Sequence, residues 1–272
     1  MAKKPTLADL RGRIDAIDTK LHDLLMKRAH VVESVGRLKK DQGGGAPFRM
    51  GREAEILRRL AARHQGPLPY PVIARLWREI IASFTQLEMS YAVALCQPTA
   101  DSPIRDLARD FYGGGVGLLS FVQPGAALAA LAEGKALQAV LPWPSPDDES
   151  PWWPMLMDGT HPPCIVARLP FVGQPQPGRE ALVVACFAPE PSGEDCTLIG
   201  LESIEPVSRS GLKSEFEKAG FAVRPLFASP VKGKALALIE VEGYVEPTDQ
   251  RLTGLPFPRL QVLGAYARPI VT

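Results

Sequence analysis

The sequence predicts a multidomain chain: an all-α N-terminal region of three helices that packs as a dimeric helical bundle, followed by α/β and α+β regions. Three observations lead there. A seven-residue apolar repeat runs through roughly the first forty positions. After Tyr91 the texture changes to short apolar runs that alternate with helical segments. Finally, 272 residues at 46% hydrophobic composition are enough for two or three domains with cores of their own.

The first helix is expected over 7–40. Leu7, Ile14, Leu21, Arg28 and Val35 keep one seven-residue rhythm, and Leu10, Ile17, Leu24, Val31 and Leu38 keep a second. Thr6 and Asp9 have the spacing of a capping box, with Asp in place of the usual Glu. Gly43, Gly44, Gly45 and Pro47 supply the stop. At about 1.5 Å per residue such a helix is about 50 Å long, too long to bury its stripe on two short neighbours, so a second copy is expected against it. Arg28 breaks the apolar pattern. A guanidinium inside a bundle seam is costly to desolvate without an anion, so the bundle is expected to hold an anionic guest.

A second helix is expected from Gly51 or Arg52 to about His64, with Ile56, Leu57 and Leu60 inward. A third is expected over 70–91, with Val72, Ile73, Leu76, Ile80, Phe84 and Leu87 as its inner stripe. Arg28 and Lys39 lie about 20° apart around the first helix and share a face. Arg11 lies about 100° away and about 25 Å down the axis, so it can approach Arg28 only from an antiparallel second copy.

These residues carry a resemblance. Leu10, Arg11, Ile14, Asp18, Leu21, Leu24 and Leu25 leading to Arg28, then Val35, Gly36 and Lys39, then Arg52-Glu53, and then Ile73, Arg75, Leu76, Ile80 and Ile81 resemble the all-helical chorismate mutase domain over residues 1–90. The resemblance implies conversion of chorismate to prephenate by a pericyclic rearrangement, with no nucleophile, cofactor or metal. It implies that Arg28 and Arg11 of a second copy hold the substrate carboxylates, that Lys39 faces the ether oxygen, and that Glu53 engages the ring hydroxyl with Arg52 nearby. Charge growing on that oxygen as its bond breaks is what a lysine stabilises selectively in the transition state.

Three positions depart from the family pattern. Phe48-Arg49-Met50-Gly51 stands where an acidic residue is usual, Phe84 where a serine often lines the pocket, and Glu88 where a glutamine donates to the ether oxygen. An ionised Glu88 cannot donate, so the active form is expected to hold it protonated, with turnover rising as pH falls. The alternative is an exposed helix-end carboxylate with no part in the reaction.

Beyond Tyr91, strands are expected at 92–96, 117–122 and 138–141, with helices at 104–111 and 125–133. The proline-rich stretch 142–177, with Trp143, Trp152 and Trp153, reads as loop packed by aromatics. Gly113-Gly114-Gly115 lacks the Lys-Ser or Lys-Thr of a phosphate loop and reads as a turn. From about Arg179, strands are expected at 181–188, 197–203, 222–227, 235–241 and 259–266, with helices at 211–219 and around 247–254. That order resembles an ACT regulatory domain over 179–272, and Leu182-Val183-Val184-Ala185 together with 235–243 and 259–266 resembles the end of prephenate dehydratases. Residues 91–178 would then be a reduced dehydratase-like region. The dehydratase Thr-Arg-Phe motif is missing; the nearest stretch is Gly178-Arg179-Glu180-Ala181, so no dehydratase activity is expected. Ser210-Gly211-Leu212 and Ala228-Ser229-Pro230 echo the effector motifs of the regulatory domain. An aromatic amino-acid effector and a purely structural appendage both stay open.

Residues 1–90 hold 17 Lys+Arg against 10 Asp+Glu, and the remainder 14 against 20, so a net charge of +1 divides into +7 and −6. Without interleaved aromatics, this basic region does not point to nucleic acid. No apolar run reaches membrane-spanning length, and Met1-Ala2-Lys3-Lys4 precedes an amphipathic segment, so no membrane association and a cytoplasmic location are expected. Cys96, Cys164, Cys186 and Cys196 form no metal-like pair and are expected to be reduced core thiols. Two other functions remain open: a non-catalytic amino-acid-binding regulator with a decayed pocket, and an isochorismate-pyruvate lyase of the same fold.

Overall fold

Helix α1 spans Leu7–Asp41 and opens on the expected capping box: the Thr6 N–H donates to Asp9 Oδ2 at 2.8 Å, and the Asp9 N–H donates to Thr6 Oγ1 at 3.2 Å. The computed structural model describes residues 4–41, 48–145, 148, 150–159, 162–203, 208–231 and 234–271. The expected stop at Gly43, Gly44, Gly45 and Pro47 lies outside them. The chain divides into two units, Met1–Pro47 with Phe84–Ser90, and Phe48–Ser83 with Tyr91–Thr272.

In the first unit the heptad residues of α1 stand open. Leu7, Ile14, Leu21, Ile17, Leu24, Val31 and Leu38 are all more than half exposed. This is a continuous apolar stripe along a helix of 35 residues.

The second unit begins with α2 (Met50–Arg63) and most of α3 (Tyr70–Glu88). Helix α2 is fastened by Arg58, whose guanidinium donates to Ser192 O and Oγ, both at 2.9 Å, and to Glu194 O at 2.6 Å. A Cβ at Gly51 would meet Pro191 O at 2.6 Å, so glycine lets the backbones approach. Helix α3 corrects the expected stripe: Val72, Leu76 and Leu87 are exposed, and the buried face is Tyr70, Ala74, Arg78, Ile81 and Ala82. The helix has two apolar faces. The one with small alanines packs closely, while Arg78 is buried because a carboxylate meets it.

A nine-stranded sheet follows, in the order β2-β1-β3-β5-β4-β9-β6-β8-β7. Strands β1 (Ala92–Cys96), β2 (Gly117–Phe121) and β3 (Gln138–Pro142) are parallel, with α4 (Ile104–Tyr112) and α5 (Pro124–Ala132) as crossovers. Strand β5 (Ala181–Ala185) runs antiparallel between β3 and β4 (Cys164–Leu169). Then β9 (Arg259–Ala267), β6 (Asp195–Ser203), β8 (Lys234–Glu242) and β7 (Val223–Val231) form an antiparallel block. Helix α6 (Arg209–Lys218) covers this block with Leu212 and Phe216, and α7 is the short turn Gln250–Thr253. Pairing crosses the expected boundary at 178/179, because β5 bonds to β3 and β4. The sheet halves meet at Ile165 and Gly264; there φ is +135° and a Cβ would sit 2.2 Å from Ile165 O, so only glycine fits.

The stretch 142–177 is more ordered than expected. It holds a 3-10 turn, Trp153–Met157, and all of β4, with Trp152 and Trp153 buried. The prolines Pro162, Pro163 and Pro170 flank β4 and do not interrupt its ladder. Gly113 ends α4 with φ 76°, the turn expected there. Cys96 and Cys196 are buried thiols, whereas Cys186 is exposed and Cys164 half-buried, which corrects the core assignment for those two. Burial pushes Cys96 and Cys164 up to about 11, so both stay protonated near neutral pH. Among the described residues, no helix is long and apolar enough to cross a membrane, and no group of three or more His, Cys, Asp or Glu is placed to hold a metal.

Candidate active site

Four of the expected site residues meet in the first unit. Arg28 is half-buried on α1, and its guanidinium carbon lies 4.3 Å from the centroid of the Phe84 ring. Its Nη1 is buried without a hydrogen-bond partner among the described residues. Burial lowers the pKa of this guanidinium, which nevertheless stays charged at any ordinary pH. The cation–π contact stabilises the charge in part, yet it satisfies none of the N–H groups.

Further along the same face, Lys39 Nζ donates to Glu88 Oε2 at 2.7 Å. Arg28 and Lys39 start about 16 Å apart along α1, but they touch residues of α3 that are one turn, about 6 Å, apart. A cleft of about 290 Å³, lined by Val32, Glu33, Gly36, Arg37, Leu87 and Glu88, shares Glu88 with the ion pair. The charged side chains lining the cleft are Glu33, Arg37 and Glu88, and Lys39 adjoins it through Glu88.

Arg11 is exposed on α1 and, as the spacing required, does not meet Arg28 within one chain. Arg52 and Glu53 belong to the second unit. Arg52 is exposed, while Glu53 is 7% exposed and accepts from Arg78 Nη1 at 2.5 Å. Arg78 also donates from Nε to Phe111 O at 2.7 Å, and its guanidinium lies 3.6 Å from the Phe111 ring centroid. Sequence reasoning missed this partner of Glu53. The signal available was Arg78 standing one turn from both Ala74 and Ala82, a charge in the middle of a small-residue face. Arg49, in the loop before α2, pairs with Glu190 at 2.5 Å. Tyr112 is fully buried nearby, its hydroxyl without a partner among the described residues, and burial raises its pKa well above the ordinary tyrosine value.

Residues 10–89 match the family described as chorismate mutase type II. The bifunctional chorismate mutase/prephenate dehydratase of Pseudomonas aeruginosa is 39% identical over 102 residues, 36% of this chain and 28% of that protein. The enzyme of the same description from Neisseria gonorrhoeae is 38% identical over 88 residues, 32% of this chain and 24% of that one. The chain thus spans about a quarter of the length of these curated relatives. Among solved structures, prephenate dehydratase from Streptococcus mutans aligns over 67% of this chain and 100% of its own, with a TM-score of 0.48 and 16% identity.

Proposed function

We propose that the chorismate mutase type II domain matched over residues 10–89 is catalytically active, and that the protein converts chorismate to prephenate for aromatic amino-acid biosynthesis. The observation that carries the reading is the half-buried Arg28, whose Nη1 has no partner among the described residues, in a matched segment that also holds Lys39. A carboxylate arriving at Arg28 would satisfy the unpaired N–H, and a bidentate contact would fix the substrate's orientation. Lys39 then stabilises negative charge on the ether oxygen as the C–O bond breaks, with no covalent intermediate and no cofactor.

Glu88 sets the condition for this step. In the ligand-free protein its carboxylate occupies Lys39. Substrate reaches the ammonium only by displacing this carboxylate, and a glutamine at this position would leave Lys39 free and add a donor. Phe84 presses on Arg28 and forms one wall. Arg11 of a second copy supplies the other carboxylate contact, and Arg52 and Glu53 enter the proposal through the family resemblance alone.

The second copy is proposed on physical grounds as well. The open stripe of α1 presents large apolar side chains to water, and each gains about 1.5–3 kcal/mol when fully buried. Two antiparallel α1 helices would cover both stripes and bring Arg11 toward Arg28. We take 1–90 as the mutase domain, 91–178 as the reduced dehydratase-like region and 179–272 as the ACT-like region, in a cytoplasmic protein. Dehydratase activity is absent in this reading, since the nearest stretch to the dehydratase motif, Gly178-Arg179-Glu180-Ala181, has no threonine hydroxyl.

The contacts of Lys39 with Glu88 and of Arg28 with Phe84 also favour a second reading, a regulator whose pocket is closed by its own side chains. Incubating purified protein with chorismate and assaying prephenate and phenylpyruvate separates the two. Prephenate alone supports the mutase; no turnover at any pH supports the regulator, and pyruvate released from isochorismate the lyase.

A further inference from the structure

A cavity of about 160 Å³ lies in the second unit, lined by none of the residues to which the mutase reading gives a substrate contact. Its floor is Leu57, Ala74, Leu107, Phe111 and Leu169, all buried, and its rim carries Arg75 and Asp110. Protein interiors leave few voids larger than a water molecule, and an apolar cavity of about 150 Å³ is large enough to hold a benzene ring. The space is thus the size of a single aromatic or branched aliphatic side chain.

The rim narrows the ligand further. Arg75 Nη2 and Asp110 Oδ1 are 2.9 Å apart, with side chains 72% and 54% exposed. An ion pair this open contributes little, so each partner can exchange the other for a ligand charge at small cost. A ligand with only a carboxylate would leave Asp110 without a cation, and one with only an amine would strand Arg75. An α-amino acid carries both charges on one carbon, beside its side chain, and matches one cation, one anion and one apolar hole. Arg78 also lines the cavity, but Glu53 and Phe111 O hold its guanidinium, so it acts as wall.

We propose that this cavity binds a free α-amino acid with an apolar side chain no larger than benzyl, with its carboxylate on Arg75 and its ammonium on Asp110. The site goes beyond the mutase reading and does not depend on it.

Isothermal titration calorimetry on the full-length protein tests it with three probes: L-phenylalanine, 3-phenylpropionate and phenethylamine. The expected result is saturable binding of L-phenylalanine, with each single-charge analogue weaker by about tenfold or more. Asp110→Asn and Arg75→Gln should each weaken L-phenylalanine by about tenfold without changing the melting curve, because both side chains are exposed. Absence of binding at millimolar ligand overturns the proposal. So does equal affinity for the three probes, or full affinity in both variants, which would put the ligand elsewhere on the protein.

Discussion

Lys39 Nζ lies 2.7 Å from Glu88 Oε2, so the lysine expected to act on the substrate is held by a residue that departs from the family pattern. The pair makes the effect of removing this carboxylate predictable in sign. Glu88→Gln supplies a permanent donor, leaves Lys39 free and should raise chorismate turnover. Chorismate loss followed by absorbance checks this; a variant no faster than the parent would contradict it.

Ile17 and Leu24 are 55% and 61% exposed on a face that none of the described residues covers. The double substitution Ile17→Glu with Leu24→Glu should turn a dimer into a monomer on multi-angle light scattering, with little effect on the sheet-rich unit. Prephenate formation should fall with it, because Arg11 of the second copy leaves the site. A monomeric parent at working concentration would remove the dimer from the account.

Glu53 and Arg78 are each 7% exposed and paired. Glu53→Gln leaves a buried guanidinium uncompensated, which typically costs about 3–5 kcal/mol. Chemical denaturation should show that loss. If Glu53 also contacts substrate, kcat/KM falls further than the residual folded fraction explains; if it is only structural, activity per folded molecule is unchanged.

Gly264 occupies a conformation at φ +135° that side chains avoid, with Ile165 backbone 2.2 Å from where a Cβ would sit. Gly264→Ala should destabilise the sheet by at least about 2 kcal/mol, since both strain and a backbone clash must be relieved. Thermal melting measures it, and a variant as stable as the parent would mean that β4 and β9 can separate freely.

Much of this was legible in the sequence, for local reasons. Thr6, Asp9 and the heptad positions define α1 without help from the rest of the chain, and the strand at 92–96 is matched residue for residue. Strand β4 was hidden because prolines at both ends gave Cys164–Leu169 the composition of a loop, while its order comes from pairing with β5 and β9, which are distant in sequence. The buried face of α3 was misjudged for a similar reason. Periodicity favours Val72, Leu76 and Leu87, but Arg78 is buried by its ion pair with Glu53, a contact across 25 positions. At the site, spacing put Arg28 and Lys39 on one face. It could not show that Phe84 and Glu88 would already be in contact with them.

The most direct measurement is chorismate turnover by the parent protein beside Arg28→Ala, with prephenate and phenylpyruvate both assayed. The account predicts prephenate from the parent, a loss of about a hundredfold or more in kcat/KM on removing the guanidinium, and phenylpyruvate from neither. Equal turnover by parent and variant, or none by the parent at any pH, would contradict it.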